Sequence, residues 1–244
     1  NHPKQLPGRT RKHHQVFNNV PKSTTRQTIQ LQRVRYTFPR ASTIQAIQVT
    51  HKAEFTMLDS IFEQKDEVRN AYCGILSTLT QEIPYDSNNY LMTLDSDFNL
   101  LDNVSFSLLP SQSTLGAVKA TGGDLIIFNC RFVGFANATV IRHSSPTYEF
   151  LMNQTLFENC TYCSHLFSTD CSVFSIQSVH FSYCLDINKI GHINCSDYSS
   201  LKFDDCLTVN CTFKHFLSVS MASDLNFSKC SFTQSEILSN PGQK

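Results

Sequence analysis

A short polar–apolar–polar–aromatic unit recurs along the second half of the chain, and no other feature limits the fold as tightly. It reads Asn103-Val-Ser-Phe106, Asn129-Cys-Arg-Phe132, Asn159-Cys-Thr-Tyr162, Asn210-Cys-Thr-Phe213 and Lys229-Cys-Ser-Phe232. Strict alternation puts the second and fourth residues of each unit on one side of an extended strand. The second positions are 104, 130, 160, 211 and 230, with gaps of 26, 30, 51 and 19. The gap of 51 divides at Cys184 into 24 and 27, where Phe181-Ser-Tyr-Cys184 repeats the approach of Phe157-Glu-Asn-Cys160. A period of about 25 residues calls for a solenoid or a propeller.

Each period holds two or three short apolar-alternating stretches between polar connectors, as at 124–128, 130–135 and 138–141. Three short strands per turn describe a coil of an all-β, parallel β-helix. A leucine-rich repeat needs a Leu/Asn framework that is absent here, and a propeller blade is longer, at about 40–45 residues. A Greek-key sandwich would not demand the same inward residue types in every period. Coils stack at about 4.8 Å, so equivalent side chains form columns. The alternation predicts one inward column of Val104, Cys130, Cys160, Cys184, Cys211 and Cys230. It predicts a second of Phe106, Phe132, Tyr162, Phe213 and Phe232, interrupted by Asp186.

The Asn-Cys-Thr-Phe repeat resembles the right-handed parallel β-helix, or pectin-lyase-like, superfamily. Within it, the repeat is most similar to the Phe- and Cys-rich repeats of protist surface proteins and of bacterial polymorphic outer-membrane proteins. The resemblance covers residues 98–238. The chain carries Gly122-Gly123 but not the Gly-Gly-Ala-Ile motif that accompanies the bacterial repeats. The resemblance implies a right-handed solenoid and a carbohydrate or a host or cell-surface protein as partner.

The first part of the chain reads differently. The whole chain's net charge of zero conceals ten Lys/Arg and no acid across residues 1–52. With Pro3, Pro7, Pro21 and Pro39 and little apolar material, 1–52 is expected to be a mostly disordered basic tail that could bind an anionic partner. In 53–74 the residues Leu58, Ile61, Phe62, Val68 and Tyr72 recur at helical spacing. Thr56 and Asp59 resemble a capping box, and Gly74 suits a helix C-terminus. This predicts an amphipathic helix at 57–72 that caps coils running through 75–240.

Nine of the ten cysteines lie between 130 and 230. They can be buried small hydrophobes, disulfides involving Cys163, Cys171, Cys195 or Cys206, or metal ligands. Cys160-x-x-Cys163-x-His165 has ligand-like spacing but no second Cys-x-x-Cys, so no metal or cofactor is expected. Sequons at Asn103, Asn137, Asn153, Asn159, Asn194, Asn210 and Asn226 are candidate glycosylation sites and point to an extracellular or cell-surface location. No signal peptide is visible and no apolar run is long enough to span a membrane.

β-Helix lyases and hydrolases gather carboxylates on one outward sheet. The candidates here are Asp204-Asp205, Asp170, Asp186, Lys214 with His215, Arg142-His143 and Gly191-His192. Asp204-Asp205-Cys206 resembles part of the polygalacturonase pattern, but Gly191-His192 precedes it where the family places its Gly-His after. No catalytic set is assigned. The expected function is a non-catalytic β-helix module of a secreted or cell-surface protein, serving adhesion, binding or display. The alternative is a carbohydrate-active β-helix enzyme, a polysaccharide lyase or glycoside hydrolase.

Overall fold

Where the sequence alternates in and out with period two, the chain is extended. The computed structural model describes residues 15–17, 27–39, 46–49, 53–65, 90–109 and 114–238, and among them every element is a β-strand. The strands pair in parallel into a 13-stranded and an 8-stranded sheet, each strand stacking on one from the next coil. The chain is a parallel β-solenoid.

One coil shows the design. The long strand Gly116–Phe128 bends midway: its first half pairs with Thr139–Ser144 and its second with Glu149–Asn153. Arg131–Val133 then joins the second sheet, pairing with Ser105–Ser107 and Leu156–Glu158. Each coil therefore has three faces. On the second face of the coil that includes Ile47–Val49, Ala53, Phe55 and Met57 point in and are buried while Glu54 and Thr56 alternate with them. The third face is shortest: where it has three residues the middle one points inward, and in Ile61–Lys65 both Phe62 and Gln64 do. Phe62, Phe106, Phe132, Phe157 and Phe181 stack in that column with ring centroids 4.9, 5.2, 5.0 and 5.4 Å apart. Each such pair adds about 0.5–1.5 kcal/mol beyond the area it buries.

The corners explain the asparagines. Between the second and third faces each coil turns through one residue of positive φ: Arg33, Asp59, Asn103, Asn129, Gln154, Ser178, Asp205 and Lys229. A similar residue leaves the third face, at Gly134, Asn159, Tyr183, Asn210 and Gln234, and a further one sits at Asn137, Tyr162 and Asp186. Asn tolerates this left-handed conformation because its short polar side chain bonds locally.

The Asn-Cys unit is thus a corner signature, and it marks two corners rather than one. Register runs Phe106–Phe132–Phe157–Phe181–Thr208–Phe232. Val104, Cys130, Thr155, Val179, Cys206 and Cys230 precede these residues in one column, whereas Cys160, Cys184 and Cys211 follow Phe157, Phe181 and Thr208 and align in a second, with Phe135. All are inward, and all but Cys230 are buried. The single cysteine column expected from sequence is two columns. The aromatic column is corrected likewise: Phe213 pairs with Ile187 and Ile237 at the start of the first face, and Tyr162 and Asp186 are exposed corner residues. The third face is so short that the same left-handed residue followed by a small inward one recurs within a single coil, and a local motif cannot tell the two apart.

The expected capping helix is replaced, in its described part, by Ala53–Leu58 and Ile61–Lys65. The helix-like spacing of Leu58 and Ile61 spans the corner at Asp59, whose φ is 48°. Residues 66–74 lie outside the described residues. The disordered basic tail is also corrected where it is described. Gln27–Gln32 pairs with Ala53–Leu58, Arg35–Pro39 with Ile61–Lys65, and Ile47–Val49 with Tyr90–Asp102. Phe38, Ala46, Ile47 and Val49 are buried, while Arg35 points out and pairs with Glu63 at 3.1 Å. Basic residues do not prevent stacking when alternation puts them outside. Residues 1–14 and 18–26 lie outside the described residues.

Replacing Phe132 by Ala removes its ring contacts with Phe106, Phe135 and Phe157 and opens a cavity, at an expected cost of about 3–5 kcal/mol in denaturant unfolding. Phe232 occupies the same column on the last described coil and is 51% exposed. Its truncation should cost less than half as much, and equal losses would contradict the register.

Candidate functional site

Because coils stack in register, outward residues about 25 positions apart in sequence become neighbours on the surface. On the first face, Lys119, Arg142, Ser168, His192 and Ser218 form one outward column. Thr139, His165, Lys189 and His215 form a second. The columns touch: the rings of His165 and His192 lie 5.6 Å apart. Tyr90 closes one end, its ring lying against Gly116, where an added Cβ would approach the ring to 2.4 Å. Burial pushes the Tyr90 phenol up to about 12, opposed in part by Arg142. The surface is a band of cations, imidazoles and hydroxyls.

Its electrostatics follow from the stacking. Lys119 and Arg142 are opposite neighbours on adjacent strands, and Lys189 lies between His165 and His215. Like charges placed opposite one another repel. His165 feels this directly. Burial chiefly, and then His192, Lys189 and Arg142, push its pKa down to about 4, so the ring is neutral. His192 Nδ1 is buried without a hydrogen-bond partner.

Beside this face, two corners carry exposed aromatic rings. Tyr162 is 64% and Tyr183 52% exposed, and both have positive φ. Tyr183 fills the corner position that Asn159 and Asn210 fill in the adjoining coils, and Tyr162 the position of Asn137 and Asp186. Leu185, 44% exposed, is bridged to Thr161 between them. A bulky residue at positive φ is uncommon, and such strain, of order 1–3 kcal/mol, gathers at functional positions.

The residues singled out in the sequence are dispersed. His143, beside Arg142, is internal: its Nε2 donates to Gly123 O at 2.9 Å and its Nδ1 accepts from Thr169 Oγ1 at 3.0 Å. Burial lowers its pKa, so it is a neutral core histidine. Gly123 has φ of 64°, and a Cβ there would lie 2.1 Å from Ser96 O. Asn99 completes this buried corner by donating to Gly122 O and Asp124 O at 3.1 and 2.9 Å. Asp170 accepts from Asn194 Nδ2 at 3.1 Å at the end of the first face. Asp186 lies at the corner before that face, and Asp205, bonded by Ser178 Oγ at 3.0 Å, at the corner after the second. Asp204 is its half-buried neighbour. These carboxylates do not meet. Lys214 is exposed, and His215 and His192 join the cationic face.

Cys160 and Cys163 point into the core, where Cys163 Sγ donates to Phe135 O at 3.5 Å, whereas His165 faces outward. Their ligand-like spacing is split between inside and outside. Among the sequons, Asn103, Asn137 and Asn159 are exposed at positive-φ corners and Asn226 is exposed on the last coil. Asn153, Asn194 and Asn210 are half-buried, and Asn194 is held by Asp170 and Ser220. Alternation found the inward columns. Arg142, His165, His192 and His215 stood out one by one, but nothing local joined them into a face, since they come from different coils.

Compared with known proteins, the chain matches no family model, no curated protein and no solved structure. Among the described residues no helix is long and apolar enough to cross a membrane.

His143 and His165 both resist protonation when folded, whereas an unfolded imidazole takes its proton near pH 6.5. The unfolded chain therefore binds more protons in acid, and stability should fall as pH drops below about 6.5. NMR titration should find His165 neutral down to about 4. Arg142→Gln should move that midpoint up.

Proposed function

We propose that this solenoid is a non-catalytic binding module of a secreted or cell-surface protein, and that its ligand is an acidic carbohydrate chain lying across the first face. The cationic and imidazole columns carry the reading. They repeat at the coil spacing of about 4.8 Å, so a linear polyanion crossing successive coils meets Lys119, Arg142 and Lys189, with the neutral His165 ring between the last two. An anion there relieves the repulsion between Lys119 and Arg142. Tyr162 and Tyr183 add rigid, flat apolar area beside it at low entropic cost, the kind of surface on which a sugar ring packs.

Exposed corner asparagines at Asn103, Asn137 and Asn159 support a secretory setting, since a glycan there leaves the stack undisturbed. The repeat that resembles pectin-lyase-like solenoids and the surface repeats of protists and bacteria supports the same reading. The dispersal of Asp170, Asp186 and Asp205 over separate corners favours binding over a carbohydrate-active enzyme.

Retention on immobilised sulfated or carboxylated polysaccharide, with neutral dextran as control, tests the proposal. The protein should bind the acidic matrices and release with salt. Lys119→Gln/Arg142→Gln/Lys189→Gln should weaken retention at least about tenfold. Tyr162→Asn/Tyr183→Asn, produced in bacteria so that no new sequon is used, should weaken it while raising stability by about 1 kcal/mol or leaving it unchanged. Unchanged retention in both variants would move binding to the basic segment 1–52, and depolymerisation of the matrix would favour the enzyme.

A further inference from the structure

On the second face the outward columns change character along the stack. One runs Leu100, Ile126, Leu151, Ser175, Lys202 and Asn226. Its neighbour runs Asp102, Phe128, Asn153 and Gln177. A sheet face turned to water carries polar side chains, as the first column does from Ser175 onward. Leu100, Ile126 and Leu151 are half-buried apolar residues instead, and Phe128 beside them is 36% exposed. A contiguous apolar patch over three coils marks a place where something else packs.

The apolar run ends on the coil that carries the sequon Asn153-Gln-Thr155. Asn153 points outward between Phe128 and Gln177, its register neighbours on the two adjoining strands. Neighbouring strands lie about 4.8 Å apart, so a sugar on the Asn153 amide begins beside the Phe128 ring. Asn226, the other sequon asparagine on this face, has Lys202 as its register neighbour, and Asn103, Asn137, Asn159 and Asn210 sit at corners. Thr155, the third residue of the Asn153 sequon, is buried and its hydroxyl donates to Asn153 O at 2.9 Å. That hydroxyl is committed once the coil forms, so the sequon is read before this coil folds.

We propose that Asn153 carries an N-linked glycan whose first N-acetylglucosamine packs on Phe128 and covers Ile126 and Leu151, making the sugar a structural part of the second face. The proposal rests on the secretory setting proposed above. In the attachment step the Asn153 amide nitrogen bonds to the anomeric carbon of the sugar as that carbon's bond to a lipid pyrophosphate breaks. The pyrophosphate leaves with the electron pair, the amide loses one proton, and nothing is oxidised or reduced. A pyranose ring has a face of C–H groups, and the rigid Phe128 ring offers it flat apolar area at low entropic cost. Glycans at the corners leave the stack undisturbed, whereas this one stabilises it.

The test uses the full chain made twice, secreted from eukaryotic cells behind an added signal peptide and produced in bacteria. Glycopeptide mapping of the secreted protein should find Asn153 occupied. With every glycan trimmed to one N-acetylglucosamine, its folding equilibrium constant should exceed that of Asn153→Gln at least about fivefold in denaturant unfolding. The same pair made in bacteria should not differ, and Phe128→Ser should erase the difference. Nuclear Overhauser contacts between the sugar and the Phe128 ring, read on the trimmed parent, give the answer without any variant. An Asn153 left bare while Asn103 and Asn159 are occupied, equal stability with and without the sugar, or a gain that survives Phe128→Ser would overturn the proposal. So would a bacterial protein whose dimer is broken by Phe128→Ser, which would give this face to a second copy. Retention on acidic polysaccharide reads the first face and should be the same for the parent and Asn153→Gln, so either reading can fail without the other.

Discussion

Every coil must offer the next one the same set of backbone groups in the same places. The strands meet this through parallel ladders, and the corners meet it too. Asn103 N–H donates to Phe128 O, Asn129 to Asn153 O and Gln154 to Gln177 O, each at 3.0 Å, so the ladder passes round the bend without a gap. The left-handed residue is what aims that N–H along the stack. Side chains inherit the arrangement: once the backbone is in register, a ring must lie on a ring and a thiol beside a thiol. Even the buried polar corner obeys it, with Asn99, Gly123, His143 and Thr169 bonding from coil to coil. Such groups are tolerated in the core because each finds its partner one coil away.

Much of this was legible in the sequence. The period, the parallel stack and the inward placement of Cys130, Cys160, Cys211 and Cys230 follow from alternation alone. Exact register did not follow. Asn129-Cys130 and Asn159-Cys160 look alike because a left-handed residue followed by a small buried one is what any corner of this solenoid requires. Leu58 and Ile61 look helical for a related reason, since a corner inserted into a two-residue period mimics a spacing of three or four. The basic character of the first segment misled in another way. Charge and proline content describe a segment's average, whereas burial of Phe38 and Val49 depends on where each side chain points.

The candidate face was legible only as single residues: Arg142, His165, His192 and His215 stood out in the sequence, but nothing there joined them. Lys119, Arg142, His165, Lys189 and His192 belong to four coils, and no stretch of sequence contains more than two of them close together. A surface of this kind exists only after stacking. Tyr162 and Tyr183 did leave a trace, as aromatic residues where neighbouring coils hold Asn, but the trace becomes readable only once the corners are aligned.

One irregularity in the stack bears on how such a chain can change. Between Lys65 and Tyr90 the sequence runs for a further stretch before the next coil begins, yet Phe62 still lies on Phe106 at 4.9 Å, no farther than rings from coils of ordinary length. The exit from the third face therefore accepts connecting sequence of different lengths, since Ile61–Glu63 still pairs in register with Ser105–Ser107. Additions at this corner are free to diversify independently of the rod, whereas an added residue within a face would shift every side chain beyond it to the opposite side. The scaffold thus separates what must stay periodic from what is open to novelty.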